Sequence, residues 1–208
     1  MKVLFNIKVA VISLLLFLSS NLYASKFVLS DDGLIDPRAI EKIDQIGNEA
    51  QTKLGVNIYV YAKSSLGLTA NTTTQDKIKY IKEYETQIVK SLTKPYVLLT
   101  MAVEDTHVNL IVSSNLQTVV DKNDILNDYV VPLLASKDKN STFAKASAAI
   151  LNGYAAVADT IADSKDIELE TSIGNSGKVA GTVWKVFMYT LIVVGLLLYT
   201  FAVLRRKK

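Results

Sequence analysis

Apolar residues along this chain fall into patterns that change period several times. Met1 to Ala24 carries Lys2 and Lys8, then the apolar run Val9–Leu18 and a small residue at Ala24. That order of charge, apolar run and small residue is the pattern of a secretory signal, with cleavage expected after Ala24 and an uncleaved N-terminal anchor as the alternative. Phe27-Val28-Leu29 is a short strand candidate. Asp36-Pro37 then offers a helix cap and a first helical residue. Ile40, Ile43, Ile46, Ala50 and Leu54 recur every three or four residues, and Gly55 stands where a left-handed C-terminal cap is wanted.

Val56 to Ala62 is rich in β-branched and aromatic residues and predicts a central strand. Lys63 to Thr73 is a Ser/Thr/Gly loop, and Thr74 to Leu92 returns to helical spacing through Ile78, Ile81, Ile88 and Leu92. Tyr96 to Val103 is almost continuously apolar. Glu104-Asp105-Thr106 is a tight turn, and His107 to Val112 alternates as the antiparallel partner. Two helices close the pattern. One spans about Asp124 to Ala135 with Pro132 interrupting it, and the other Ser141 to Ala162 with Phe143, Ile150, Tyr154, Val157 and Ile161 on one face. This order predicts an α/β fold, a three-layer α/β/α sandwich with a mixed sheet over residues 26–162.

Residues 163–181 hold Gly174, Gly177 and Gly181 without hydrophobic periodicity and predict a flexible tether. Residues 183–204 predict a single transmembrane helix, because Val186 to Leu204 contains no charge and is long enough to cross about 30 Å of hydrocarbon. Trp184, Tyr189 and Tyr199 supply interfacial aromatics, and Arg205-Arg206-Lys207-Lys208 forms a basic tail that the positive-inside rule keeps cytoplasmic. The expected location is the inner membrane, single-pass, with the folded domain on the periplasmic side.

Charge changes meaning once it is placed on this map. The 208 residues carry +3 overall, but six of the 23 basic residues lie in the two terminal segments. Between Ser25 and Lys185 there are 17 basic and 20 acidic residues, a net of −3, which argues against nucleic acid as a partner. No cysteine is present, so disulfides, thiolate metal sites and thiol nucleophiles are excluded.

The chain has no Walker loop, GxGxxG, GxSxG or HExxH, and its one histidine, His107, starts a strand with no nucleophile in evidence beside it. An edge-strand role suits it better than a catalytic one. The chemistry that remains open is carboxylate chemistry. Asp31, Asp32, Asp36, Glu104, Asp105, Asp121, Asp124 and Asp128 fall near the ends of predicted elements, and an oxygen-only set of this kind can hold a hard cation such as Ca²⁺. Caps at Asp36 and Asp124 and turn formation by Glu104 and Asp105 account for the same residues without a metal. Asp138-Lys139-Asn140-Ser141-Thr142 contains an N-x-S/T acceptor with an acidic residue two positions before Asn140, the extended sequon of bacterial oligosaccharyltransferases. An N-glycan at Asn140 competes there with a simple helix cap by Asn140 or Ser141. Asn71-Thr72-Thr73 lacks the acidic residue.

The Asp32-Gly33-Leu34-Ile35-Asp36-Pro37 opening resembles the TPM domain family, as do Leu54-Gly55-Val56 before a strand and Val97-Leu98-Leu99 with Glu104-Asp105 before the next. Asp121, the stretch around Pro132 and the Ala-rich last helix continue the resemblance. The family includes the thylakoid acid phosphatase of plants and many exported bacterial proteins with a transmembrane tail. The resemblance implies a membrane-tethered extracytoplasmic domain, divalent cation (often Ca²⁺) binding by acidic loops, and phosphatase activity in some members. By carry-over, Asp32, Asp105 and Asp121 are the metal candidates, with Asp36 and Asp124 as neighbours. The chain departs from the family where Thr93-Lys94-Pro95-Tyr96 and Ser113-Ser114-Asn115-Leu116-Gln117 replace Gly-containing loops. Such losses remove close backbone approach to a ligand. The expected function is therefore a binding or accessory module for envelope or membrane protein complexes, with a metal-dependent acid phosphatase at the membrane surface as the alternative.

Overall fold

The computed structural model describes residues 25–69 and 72–174. The predicted signal, the transmembrane helix and the basic tail lie outside the described residues, as does the second half of the tether. Strands β1 (Val28–Ser30), β2 (Asn57–Lys63), β3 (Tyr96–Ala102) and β4 (His107–Val112) form one mixed sheet in the order β1-β2-β3-β4. β1, β2 and β3 run parallel, with Ile58 opposite Val97, and β4 returns antiparallel, with Leu99 opposite Leu110. The fold is α/β.

Helix α1 (Pro37–Glu49) begins as its sequence dictates, the Asp36 carboxylate accepting from Arg38 N and Pro37 occupying the first turn. It continues into a wide π turn over Ala50–Leu54, and Gly55 ends it at φ +68°, the left-handed geometry predicted for that position. Helix α2 (Thr74–Lys90) is capped by Thr73. The interrupted helix read over Asp124–Ala135 is present as a contiguous stretch of α3 (Lys122–Ile125), a π turn (Leu126–Val130) and α4 (Val131–Leu134). The irregular turn directly precedes Val131-Pro132, where an interruption was expected, but the cap is Asp121 and not Asp124, since the Asp121 carboxylate accepts from Asn123 N at 2.7 Å. Helix α5 (Thr142–Asp163) is capped by Ser141.

All seven residues of β3 are buried, so both faces of the sheet must be covered. On the face that carries Leu99, α1 and α5 pack side by side. Gly153 of α5 sits so close to this layer that a Cβ there would lie 2.5 Å from Val130 and 3.6 Å from Leu99. At Gly47 of α1 a Cβ would meet the Tyr154 hydroxyl at 2.4 Å and the Phe27 ring at 2.5 Å, so this close crossing requires glycine. The space is used by Tyr154, whose buried hydroxyl donates to Ile58 O at 2.8 Å. The other face, carrying Thr100, is covered among the described residues by α2.

Two positions read as core are not. Ile78 is 61% exposed and Phe143 40% exposed, although both keep helical spacing with buried residues. Each lies near the start of its helix. The packed domain also runs on past Ala162. Leu169 is fully buried and Lys165 Nζ donates to Leu54 O at 2.7 Å. Glu49 is the clamp for this segment: its carboxylate accepts from Glu170 N at 2.9 Å, Thr171 N at 2.8 Å and the Thr171 hydroxyl, and pairs with Lys53 at 2.7 Å.

Burial opposes ionisation of Glu49, but these donors outweigh it and hold the carboxyl down at about 2. A depressed folded-state pKa contributes stability above the ordinary carboxylate value that is lost as pH falls through about 2. Glu49→Gln should cost on the order of 2 kcal/mol at neutral pH and raise hydrogen exchange at Glu170 and Thr171. Its loss relative to the native chain should shrink as pH is lowered from 5 toward 2 in urea titrations; a pH-independent difference would refute the ionic clamp.

Candidate functional site

Because β1, β2 and β3 are parallel, their C-terminal ends deliver three loops to one edge of the sheet. The first loop turns tightly, with Leu34 N donating to Asp31 O at 2.7 Å and Asp32 in the left-handed region at φ +46°. This turn swings the Asp32 carboxylate onto the end of β2. There it pairs with Lys63 Nζ at 2.7 Å and accepts from Ser64 N at 3.2 Å. The Lys63 hydrogen bond is the main reason its carboxyl lies below the usual range, and Lys63 is raised in turn.

The second and third loops run together, with Val103 N donating to Lys63 O and Glu104 N to Ser64 O. Asp105 closes them. Its carboxylate is almost fully buried and accepts from Leu66 N at 2.6 Å and Ser65 Oγ at 3.3 Å, while Lys77 of α2 donates to its carbonyl. An aromatic ladder stands beside this edge. The Tyr61 and Tyr84 hydroxyls are 2.5 Å apart, Tyr80 stacks on Tyr84, and the Tyr80 hydroxyl donates to Leu66 O at 3.2 Å. Burial, reinforced by the Tyr84 contact, pushes the Tyr61 phenol up, so it stays neutral.

Thus two of the five metal candidates, Asp32 and Asp105, share an edge, bridged by residues 63–66. The other three lie apart from this bridge. Asp36 caps α1 and holds Arg38 through Nε at 3.0 Å and Nη2 at 3.2 Å. Asp121 caps α3 beside the outer edge of β4, and Asp124 lies in the first turn of α3. Among the described residues no three His, Cys, Asp or Glu side chains group as a cation shell would need. The carboxylates that do meet are already matched with donors from the chain itself.

A second polar centre lies under α2. Glu85 is 8% exposed and receives Thr100 Oγ1 at 2.6 Å, Asn109 Nδ2 at 2.9 Å and His107 Nε2 at 2.8 Å. Sequence reasoning missed this cluster and left His107 as an isolated edge residue. The signal was present: Glu85 occupies a core position four residues after Ile81, and Thr100 interrupts the otherwise apolar β3.

A surface groove of about 530 Å³ runs between the N-terminal halves of α1 and α5. Ala39, Ala144, Ala148 and Leu151 line it with the exposed ring of Phe143, and Arg38 and Lys42 stand at its rim.

No family model matches this chain, and no curated protein does. Among solved structures it is similar to the solution NMR structure of the N-terminal domain of a protein from P. gingivalis, at TM-score 0.51 and 14% identity over 70% of this chain and 88% of that one. The likeness is one of fold. It shows that this sheet and its helices form an arrangement another chain also adopts, and it carries no chemistry to Asp32, Asp105 or Glu85.

Removing the Glu85 carboxylate takes the acceptor from the buried Thr100 hydroxyl and from the half-buried His107 and Asn109 side chains. Glu85→Ala should therefore destabilise the domain by about 3 kcal/mol, read by urea unfolding. Burial raises the Glu85 carboxyl, but the bonds from His107, Thr100 and Asn109 together bring it below its ordinary value. Its contribution is thus present above the ordinary carboxylate pKa and lost as pH falls through the lower folded value. Glu85→Gln should flatten the acid limb of the stability profile; an unchanged limb would show that the cluster does not titrate with folding.

Proposed function

We propose that this chain is a TPM-like domain held on the outer face of the cytoplasmic membrane, serving there as a non-enzymatic binding module for envelope or membrane proteins. The placement rests on the signal pattern at Met1–Ala24, the uncharged run Val186–Leu204 and the basic tetrad after it. The TPM assignment rests on the motif resemblance, with the α/β fold compatible with it.

One observation carries the non-enzymatic reading: Asp32 is neutralised by Lys63 at 2.7 Å, while Asp105 is spent on the backbone of Leu66. A cation-dependent phosphatase would have to displace both before its metal could use either carboxylate. The groove between α1 and α5 supports the binding reading. It presents an apolar floor, an exposed aromatic ring and two cations on a domain of net negative charge.

Full-length chain in detergent should show the same Tm with Ca²⁺, Mg²⁺ or a chelator in millimolar excess, because a ligand bound only by the native state must stabilise it. A rise in Tm that disappears in Asp32→Asn would restore the metal reading. In intact membranes, a photo-crosslinker at position 143 should trap a defined envelope protein, whereas one at position 90 on α2 should not. Equal trapping at both positions would refute the groove as the binding surface.

A further inference from the structure

We propose that Asn140 is the acceptor of an N-linked oligosaccharide, transferred from a polyprenyl-diphosphate-linked donor on the outer face of the membrane. The inference rests on the extracytoplasmic placement proposed above.

An oligosaccharyltransferase has to draw its acceptor into an extended conformation, so the acceptor must lie in a segment that can leave the protein surface at little cost. Residues 137–144 are all exposed, and no longer run of exposed residues occurs among the described residues. The segment leads from the end of α4 to the start of α5. Its polar ties include Asp138, which accepts from Asn140 N and Ser136 Oγ, each at 2.9 Å, and Lys145, which pairs with the Asp138 carboxylate at 3.5 Å and donates to Ser136 O at 2.6 Å and Asp138 O at 3.3 Å. Most of these are solvent-exposed bonds that water can replace.

The two acceptor sequences in the chain differ in what holds their third residue. In Asn71-Thr72-Thr73 the Thr73 hydroxyl is the cap of α2, accepting from Asp76 N at 3.2 Å and donating to Asp76 Oδ2 at 2.7 Å. In Asn140-Ser141-Thr142 the cap is the middle residue, with Ser141 Oγ accepting from Ala144 N at 3.2 Å. The cap of α5 therefore does not use Thr142. Thr142 is also exposed, and its hydroxyl is the group the transferase must recognise. Asp138, two residues before the acceptor, supplies the acidic side chain that the extended sequon requires, whereas Thr69 occupies that place before Asn71.

In the reaction, a bond forms between Asn140 Nδ2 and C1 of the reducing-end sugar. The C1–O bond to the diphosphate breaks, its electron pair departs with the polyprenyl diphosphate, and one amide proton passes to a base of the transferase. The glycan would stand three residues before Phe143, at the end of the α1–α5 groove, and would screen that end from other partners.

The full chain should be co-expressed with a bacterial oligosaccharyltransferase that demands the acidic residue, together with its lipid-linked donor, and its intact mass measured. One glycan increment is expected in the native chain and in Asn71→Gln, and none in Asn140→Gln. Asp138→Ala should lose most of it, and Asn140→Gln should retain the native Tm, which excludes misfolding as the cause. Protease accessibility in spheroplasts separates the two readings. A chain that is accessible but unmodified overturns the glycosylation and leaves the placement standing, whereas an inaccessible chain overturns both. An increment that persists in Asn140→Gln overturns the assigned position.

Discussion

The structure turns on a strand that is buried on both faces. β3 has no exposed residue, so each face of the sheet needs a helical layer. The two layers are unequal. On one face α1 and α5 pack tightly through Gly47, Gly153 and a series of buried alanines, including Ala146, Ala149 and Ala158. On the other a single helix does the covering among the described residues, and only Ile81 and Glu85 of α2 are buried. A polar strand residue beneath one helix can be accommodated only if it is hydrogen-bonded. Thr100 meets that condition through Glu85, and the same carboxylate ties Asn109 and His107 of β4 to α2.

The parallel order of β1, β2 and β3 has a second consequence at the sheet's C-terminal edge. Three loops crowd there, and backbone N–H groups of the loop after β2 need acceptors. Asp32 serves Ser64 and Asp105 serves Leu66, so the two carboxylates bind the loops to one another. The arrangement that collects acidic residues at this edge also consumes them. A metal site keeps oxygen lone pairs free for the ion, whereas these two carboxylates accept from donors of residues 63–66.

Much of this was legible from residue patterns. Asp36-Pro37, Gly55, the Glu104–Thr106 turn and Ser141 before α5 are local signals, and each element begins or ends where its own side chains can satisfy its backbone. The order of elements implied a mixed sheet. What was not legible depends on distance. Ile78 and Phe143 keep helical spacing, yet both stand exposed near the starts of α2 and α5. Asp124 and Asp121 are equally good cap residues, and which one caps depends on where β4 ends. Glu85 and His107 stand 22 residues apart, and only the return of β4 beneath α2 makes them neighbours. The Glu49 clamp on residues 170 and 171 is hidden for the same reason, since glycine and serine near it suggest a free tether.

That clamp also orients the domain. Gly174, the last described residue, lies so near Asp159 that a Cβ would meet its carboxylate at 2.2 Å. The chain therefore departs beside the C-terminal end of α5. Asn140, the groove and Phe143 belong to the N-terminal end of the same helix, about 25 Å away at helical rise. Because Glu49 fixes residues 170 and 171 to α1, the departure point cannot swing round to the groove without breaking the hydrogen bonds that the Glu49 carboxylate accepts from Glu170 N and Thr171 N. Whatever the C-terminal segment is attached to, the groove and the exposed loop before it are carried at the far end of α5.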